Sequence, residues 1–276
     1  MTARSGYPTV DHALARCLER VEGMAGAACV DARNALQPQA GAEWIEVDGA
    51  IAMFDGASSP LTQTFGLGLV ESFAAPALDE IEDFFRRHGC PASHEVSSFV
   101  APTALNMLSA RGYSPIEASA VSVRPAERLP DRDWSRITVR VIDDADTDLW
   151  ARVAADGLRS ESQELGAFVD EFGVLMSRAR NVVRFLAEAE GRPIATASLT
   201  LDGDVALFSG ASTIPDARRQ GAQLALLESR LAFAVEHEME LLMIVASPGT
   251  SSQRNAERQG FRPVYTRSKW QRKLEA

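Results

Sequence analysis

The stretch that decides the fold lies in the second half of the chain and reads Thr213-Ile214-Pro215-Asp216-Ala217-Arg218-Arg219-Gln220-Gly221-Ala222-Gln223. It follows an apolar run, Val205 to Thr213, that predicts a strand, and it opens the segment Ala222 to Glu236, which predicts an amphipathic helix. A helix that starts directly after a strand has several backbone N–H groups without acceptors at its positive end. The stretch therefore predicts a phosphate-binding loop, in which Gly221 lets the backbone approach an anion closely.

Two side chains of this loop strengthen the prediction, although an alternative stays open. Arg218 and Arg219 would add charge-assisted hydrogen bonds to a phosphate. A polar turn with a glycine kink is the alternative interpretation, and the loop by itself does not decide between the two. The apolar stripe predicted for the following helix consists of Leu224, Leu227, Leu231 and Val235.

The segment from Val205 to Tyr265 resembles the core of the GCN5-related N-acetyltransferase superfamily. The pyrophosphate loop of that family has the pattern Arg/Gln-x-x-Gly-x-Gly/Ala, and its three marked positions are occupied here by Arg218, Gly221 and Gln223. Gln223 departs from the small residue of the motif. The closing segment of the family, which ends in a helix followed by Gly-Phe, is similar to the stretch before Gly260-Phe261.

The resemblance implies an α/β fold with two acetyltransferase-like domains, each a mixed, mostly antiparallel sheet flanked by helices. In the C-terminal domain, two central parallel strands, Val205–Thr213 and Leu241–Ala246, would splay apart and hold acetyl-CoA, the acyl donor, between them. An amine would then attack the thioester directly, without a covalent enzyme intermediate. The residues that the resemblance assigns to the donor are Ser212, Thr213, Ile214, Arg218, Arg219, Gln220, Gly221, Ala222, Gln223, Ser252 and Asn255.

The catalytic groups depart from the pattern of the family. Many members have a tyrosine four residues before the closing glycine, where it protonates the leaving thiolate, and that position is Ala256 here. Tyr265 is the remaining candidate for this acid, although it lies beyond the glycine and suits a strand. The strand Val205–Thr213 contains no Asp or Glu that could act as a general base, so no base is assigned.

A weak internal repeat predicts two related halves. A shift of 148 residues places Gly112-Tyr113 on Gly260-Phe261, and a charged stretch with two prolines, Arg124 to Asp133, predicts a linker between the halves. We therefore predict one domain at residues 1–130 and a second, acyl-CoA-binding domain at residues 135–276.

The first half is expected to be a degenerate copy that binds no CoA. The same shift places Val70 to Ala75 opposite Arg218 to Gln223, so Glu71 and Phe73 fall where an anion would have to sit. The alternative is a misaligned shift, with the loop of the first half at Gly66-Leu67-Gly68. No cation follows these glycines, so a tight turn is the favoured interpretation.

A metal site is not assigned. His88, Cys90 and His94 have a spacing that could hold a metal ion, but no fourth ligand is evident near them in the sequence. A histidine at a helix end with neighbours in a loop is the simpler interpretation.

The composition limits the function further. The chain has 276 residues, 46% of them hydrophobic, and a formal net charge of −10. A disordered chain is thus excluded, and the charge argues against a nucleic-acid partner. The three cysteines, the absence of a signal peptide and of an apolar run of about 20 residues predict a cytoplasmic protein without a membrane partner. Only two lysines against 26 arginines suggest a bacterial genome.

The function expected from these observations is acyl transfer from acetyl-CoA or a related acyl-CoA to the amine of a small molecule. The alternative is a non-catalytic protein that binds or senses acyl-CoA, which the missing tyrosine and the missing base favour. A monomer and a homodimer are both compatible with the sequence.

Overall fold

The computed structural model describes residues 6–70, 73–128, 136–159 and 163–272. The chain divides into two compact units: unit 1 comprises residues 1–7 and 124–244, and unit 2 comprises residues 8–123 and 245–276. These units differ from the predicted domains, 1–130 and 135–276, because the C-terminal residues group with the first half. The division of the sequence into two related halves, at residues 1–130 and 135–276, stays a prediction.

Helices and strands alternate along both units. The helices are α1 (His12–Leu36), α2 (Ala75–Arg87), α3 (Pro102–Ala110), α4 (Thr147–Arg159), α5 (Gln163–Arg178), α6 (Ala222–Glu236) and α7 (Ser251–Arg258). The strands are β1 (Glu43–Val47), β2 (Ala50–Phe54), β3 (Gln63–Phe65), β4 (Ser93–Ser97), β5 (Tyr113–Pro125), β6 (Thr138–Val141), β7 (Val182–Ala189), β8 (Arg192–Asp202), β9 (Val205–Thr213), β10 (Leu241–Ala246) and β11 (Arg262–Arg272). No helix among the described residues combines the length and apolarity needed to span a bilayer.

In unit 2 the strand order is β1-β2-β3-β4-β11-β5, and the last strand of the chain lies between two strands of the first half. β11 runs antiparallel to both neighbours, so that Lys269 faces Glu95 on β4 and Glu117 on β5. A strand in this position exchanges backbone hydrogen bonds at both of its edges. This pairing is the physical reason why residues 245–276 group with residues 8–123.

Several predicted elements of the first half need correction. The apolar and β-branched residues of Val96 to Ala101 predict a strand there. The strand of the structure, β4, begins earlier and ends at Ser97, because the N–H of Val100 turns back to the carbonyl of Ser97. The predicted linker is partly strand, since β5 continues to Pro125. Residues 126–128 of that linker are neither helix nor strand, and residues 129–133, its remainder, lie outside the described residues.

In unit 1 the strand order is β10-β9-β8-β7-β6, with β9 and β10 parallel and the other pairs antiparallel. The predicted bounds of β9, α6 and β10 are confirmed. The buried face of α6 differs from the predicted stripe, because Leu224 and Val235 are only half-buried. The buried residues of α6 are Ala222, Ala225, Leu226, Leu227, Arg230, Leu231 and Ala234.

The shift of 148 residues also relates the elements of the two halves. Applied to α2, it gives residues 223–235, against 222–236 for α6. Applied to β4 and α3, it gives 241–245 and 250–258, against 241–246 for β10 and 251–258 for α7. The common order and spacing of the elements support the prediction of two related halves.

A buried charged cluster joins β11 to α1 and β4 within unit 2. Arg267 lies 3.3 Å from Glu19, 2.8 Å from Glu22 and 3.2 Å from Glu95, and the side chains of Arg267 and Glu19 are 4% and 0% exposed. Burial raises the pKa of Glu19 and of Glu95, against the opposing effect of Arg267. Burial alone would lower the pKa of Arg267, but Glu22 and Glu19 raise it. The positive charge of the Arg267 guanidinium therefore offsets the cost of burying these carboxylates.

Replacing Arg267 by methionine should lower the free energy of unfolding by about 3–5 kcal/mol, because buried carboxylates lose their cation. Denaturant unfolding measures the change. The matched control is Arg20→Met at the exposed ion pair with Glu46, which should cost about 1 kcal/mol or less. Equal losses for the two variants would contradict the role of Arg267.

His94 is the second unusual polar group of unit 2. It is fully buried, and neither ring nitrogen has a hydrogen-bond partner among the described residues. Its neighbours include the rings of Phe85 and Tyr113, with centroids 6.3 and 5.0 Å away. Burial lowers the pKa of His94 to about 3, so the imidazole is neutral in the folded protein at neutral pH.

The pKa of His94 predicts a loss of stability in acid. Between about pH 6.5 and pH 3 the unfolded chain binds a proton that the folded chain does not bind, so the free energy of unfolding falls as the pH falls. Relative to His94→Leu, the wild type should lose about 1.4 kcal/mol per pH unit below pH 6. Denaturant unfolding at several pH values checks this, and parallel pH curves for the two proteins would refute it.

Candidate functional site

A β-bulge interrupts β9 near its C-terminal end. Ser198 on β8 faces Ser209, whereas Thr196 faces Ser212, so Ala197 stands opposite two residues of β9. One of them is Gly210, with a φ of 61°, and a Cβ at this position would lie 2.6 Å from the hydroxyl of Ser198. The bulge therefore requires glycine, and it bends the strand locally.

The parallel ladder between β9 and β10 stops just before this bulge. Its last pair joins Phe208 to Ile244. Beyond Phe208, residues 209–213 are paired with β8 but have no ladder partner on their other edge within the described part of unit 1. The end of β9 thus has an open edge, one without a partner strand, suited to an extended ligand with amide groups.

The loop after β9 presents further backbone donors. It passes through a short 3-10 turn, Pro215–Ala217, and then through two residues with positive φ, Arg219 at 66° and Gly221 at 93°. Gly221 is the N-cap of α6, and no side chain caps this helix. Within the described residues, the N–H groups of residues 219–223 have no hydrogen-bond acceptor. Such a set of N–H groups at a helix N-terminus is suited to a phosphate.

Arg218 connects this loop to its surroundings. Its side chain is exposed, and its guanidinium donates to the carbonyl oxygens of Gly157, at 3.1 Å, and Thr213, at 3.4 Å. These bonds hold the loop against α4 and β9 and keep a positive charge beside the free N–H groups. Arg219 is also exposed. A direct bond from either arginine to a phosphate stays a prediction.

Gln223 turns away from the loop. Its amide nitrogen donates to the carbonyl of Ser212 and to the hydroxyl of Thr213, both at 2.8 Å. The long side chain at the position of a small motif residue therefore ties the start of α6 to the end of β9. The loop keeps its free N–H groups in spite of this departure from the motif.

Close packing of α4 on β9 is a feature that the sequence analysis missed. The hydroxyl of Ser212 donates to the carbonyl of Ala154 at 3.1 Å. A Cβ at Gly157 would lie 2.6 Å from the hydroxyl oxygen of Ser212 and 2.9 Å from the backbone nitrogen of Thr213. The only signal in the sequence is a glycine inside a helical pattern, which marks a packing constraint but not its partner.

Other residues assigned to the donor or to catalysis lie in unit 2. Ser252 and Asn255 are exposed on α7, and their contact with the donor stays a prediction. Tyr265 is buried, and its hydroxyl donates to Glu19 at 2.8 Å. Burial raises its pKa, and Glu19 raises it further. The role of Tyr265 as an acid also stays a prediction, with its proton held by a buried carboxylate in this structure.

The residues considered for a metal have separate environments. His88 stacks on Phe54 and lies 3.2 Å from Glu43, while the thiol of Cys90 faces the carbonyl of Phe85. Among the described residues, no group of three or more His, Cys, Asp or Glu side chains could hold a metal ion.

The glycines of the first half form a tight, buried turn. The N–H of Leu69 turns back to the carbonyl of Gly66, and Leu67 is 1% exposed. A Cβ at Gly68 would lie 3.0 Å from Val100. These glycines therefore allow close packing of the turn, as the favoured interpretation predicts.

A comparison with protein-family models gives a match in the second half of the chain. Residues 149–261 match the model of the Acetyltransferase (GNAT) family. Among curated proteins, no match to the sequence is found.

Solved structures show the fold over most of the chain. A GCN5-related N-acetyltransferase from Kribbella flavida is similar with a TM-score of 0.62 and 19% identity, over 90% of this chain and 96% of that chain. A GCN5-related N-acetyltransferase from Sphaerobacter thermophilus gives a TM-score of 0.54 and 14% identity, over 84% and 75% of the two chains. A tandem GNAT protein from the clavulanic acid biosynthesis pathway gives 0.51 and 14%, over 73% and 70%.

The predicted α/β fold is thereby confirmed, and the family match supports acyl transfer from acetyl-CoA as the general activity. The matched segment contains the bulged strand, the loop with free N–H groups and the helix that follows it. Residues 149–261 are therefore similar to the acetyltransferase domain of the GNAT family.

Proposed function

We propose that this protein transfers an acyl group, in particular acetyl, from acyl-CoA to the amine of a small molecule. The observation that carries the proposal is the set of free N–H groups at residues 219–223, next to the open edge of β9. Together they provide one site for a diphosphate and one for a chain of amides, the two chemical features of CoA.

Each part of the site has a separate task in this proposal. The N–H groups of the loop hold the diphosphate, and Arg218 and Arg219 supply positive charge beside it. The open edge of residues 209–213 holds the amide groups of the pantetheine and orients the thioester. Bound acetyl-CoA supplies an activated acyl group, and a backbone N–H directed at its carbonyl favours attack by the acceptor amine. The neutral amine forms the new C–N bond as the C–S bond breaks, and the proton that the nitrogen loses balances the proton that the leaving thiolate takes up.

An acceptor with a positive charge suits the electrostatics of the chain. The formal net charge of −10 attracts cationic molecules over long distances.

A cytoplasmic location of the protein also remains part of the proposal.

The second candidate function is non-catalytic binding or sensing of acyl-CoA. It is favoured by Ala256 at the position of the tyrosine and by the absence of carboxylates from β9. Release of free thiol from acetyl-CoA, measured across a panel of small amines, separates the two functions. Turnover with any amine supports the enzyme, whereas tight CoA binding without turnover on any amine supports the sensor.

Gly221→Val should weaken CoA binding about 100-fold, because a β-branched residue at a φ of 93° forces the loop out of its anion-binding shape. Calorimetric titration with CoA measures the change. Gly203→Val, in the turn between β8 and β9 with a φ of 53°, is the matched control for strain at a positive φ. It should retain the affinity of the wild type, and an unchanged affinity in folded Gly221→Val would refute the assignment of the loop.

Among the described residues of the unit 2 loop that corresponds to the phosphate loop, two positions offer no free donor. The N–H of Phe73 is bonded to the carbonyl of Val70, and Pro76 removes a donor from the first turn of α2. Glu71, which the sequence places at the anion position, lies outside the described residues. These features support the proposal that unit 2 is a degenerate copy.

Each chain should therefore bind one CoA. Titration of the intact protein should give a stoichiometry of one, and Gly221→Val should weaken that binding about 100-fold. Gly66→Ala with Gly68→Ala should leave the stoichiometry unchanged wherever the variant folds, which its melting curve establishes. Two CoA molecules per chain would refute the degenerate-copy proposal.

A further inference from the structure

Arg230 is a buried cation in unit 1 without a carboxylate partner. It lies on α6 and is 2% exposed, and no salt bridge to it is present in the described part of the chain. Removing a charge from water costs several kcal/mol unless an opposite charge or good hydrogen bonds compensate. An apolar residue at this position on the buried face of α6 would avoid the cost of burying a charge. The contacts of Arg230 must therefore compensate that cost.

Backbone carbonyls compensate the charge. The guanidinium donates to Leu226 at 3.2 Å, Ser198 at 3.0 Å and Ser209 at 3.3 Å, and it lies 4.8 Å from the ring centre of Phe208. The two serine carbonyls belong to neighbouring strands, β8 and β9. Arg230 therefore bridges these strands from the helix that covers them.

Arg230 bridges the two strands at the residue pair that directly precedes the bulge in β9. Ser198 and Ser209 form the last regular pair before the bulge at Gly210. The ladder with β10 has its last pair at Phe208, one residue earlier. The guanidinium thus holds the strands at the point where the open edge of β9 begins.

We propose that Arg230 is a positioning residue, which holds the bulge of β9 so that the edge beyond it can orient the pantetheine and the thioester. This inference rests on the proposed function of the site. α6 carries the phosphate loop at its N-terminus and Arg230 on its buried face, so one helix sets the distance between the two parts of the donor site. The phosphate loop itself makes no hydrogen bond with Arg230.

The proposal predicts that two ligands respond differently to the loss of Arg230. The probes are 3′-phosphoadenosine 5′-diphosphate, which is the nucleotide part of CoA, and intact acetyl-CoA. In Arg230→Met, the affinity for the nucleotide should stay within about threefold of wild type, whereas the affinity for acetyl-CoA should fall about tenfold or more. Arg230→Lys should recover part of the loss, because an ammonium can still donate to the two carbonyls.

Gly210→Ala changes the same bulge by a substitution in β9 itself, and it replaces Arg230→Met as the test if that variant does not fold. Its Cβ would meet the hydroxyl of Ser198, so the same difference between the two ligands is expected. Arg152→Met, at an exposed position on α4, is the control and should leave both affinities unchanged. Melting curves identify the folded variants.

The outcomes separate this proposal from the proposed function. If the wild type binds neither probe, the proposed function fails, and the inference fails with it. If the wild type binds both probes but folded Arg230→Met and Gly210→Ala weaken both equally or neither, the positioning role of Arg230 is refuted while the donor site stands.

Discussion

The end of β9 is paired with a strand along one edge and has no partner strand along the other, and several features of unit 1 maintain this difference. One edge of the strand keeps its hydrogen bonds to β8, while the other edge is left without a ladder partner beyond Phe208. Unpaired backbone groups are costly unless water or a ligand satisfies them. Three features hold the strand in this arrangement: the bulge at Gly210, the close approach of α4 at Gly157 and the hydrogen bonds of the Arg230 guanidinium. The site is therefore built mainly from backbone, and its side chains act by fixing that backbone.

In the proposed phosphate site, this dependence on backbone accommodates the departure from the family motif. An anion site made of N–H groups requires the right φ angles and a free helix start, which Gly221 and the uncapped N-terminus of α6 provide. Gln223 is compatible with that site because its side chain bonds to β9 instead of entering the loop. The same argument shows why glycines alone do not make such a site. Gly66 and Gly68 serve a buried turn, where the absence of a side chain allows close packing.

Unit 2 depends on the end of the chain in a different way. β11 pairs with β4 and β5, and its Arg267 is the cation next to the fully buried Glu19 on α1. Arg267 and Lys269, both on β11, lie next to Glu95 on β4. A fragment that ends before β11 would lack both the strand and the cation. The two halves that the sequence predicts as a repeat are thus not the compact units of the structure, because the last strand of the second half completes the sheet of unit 2.

The sequence by itself determined the α/β class and the bounds of β9, α6 and β10, and it predicts the phosphate loop and the repeat. All of these depend on local patterns: the period of apolar residues, the placement of glycines and the common spacing of elements. It did not determine the partner of β11, because strand pairing depends on residues distant in the chain. It also missed Arg230 on the buried face of α6, since an arginine in a helical pattern suggests an exposed position until its acceptors are known. Those acceptors are carbonyls of β8 and β9, and only the tertiary structure brings them to one point.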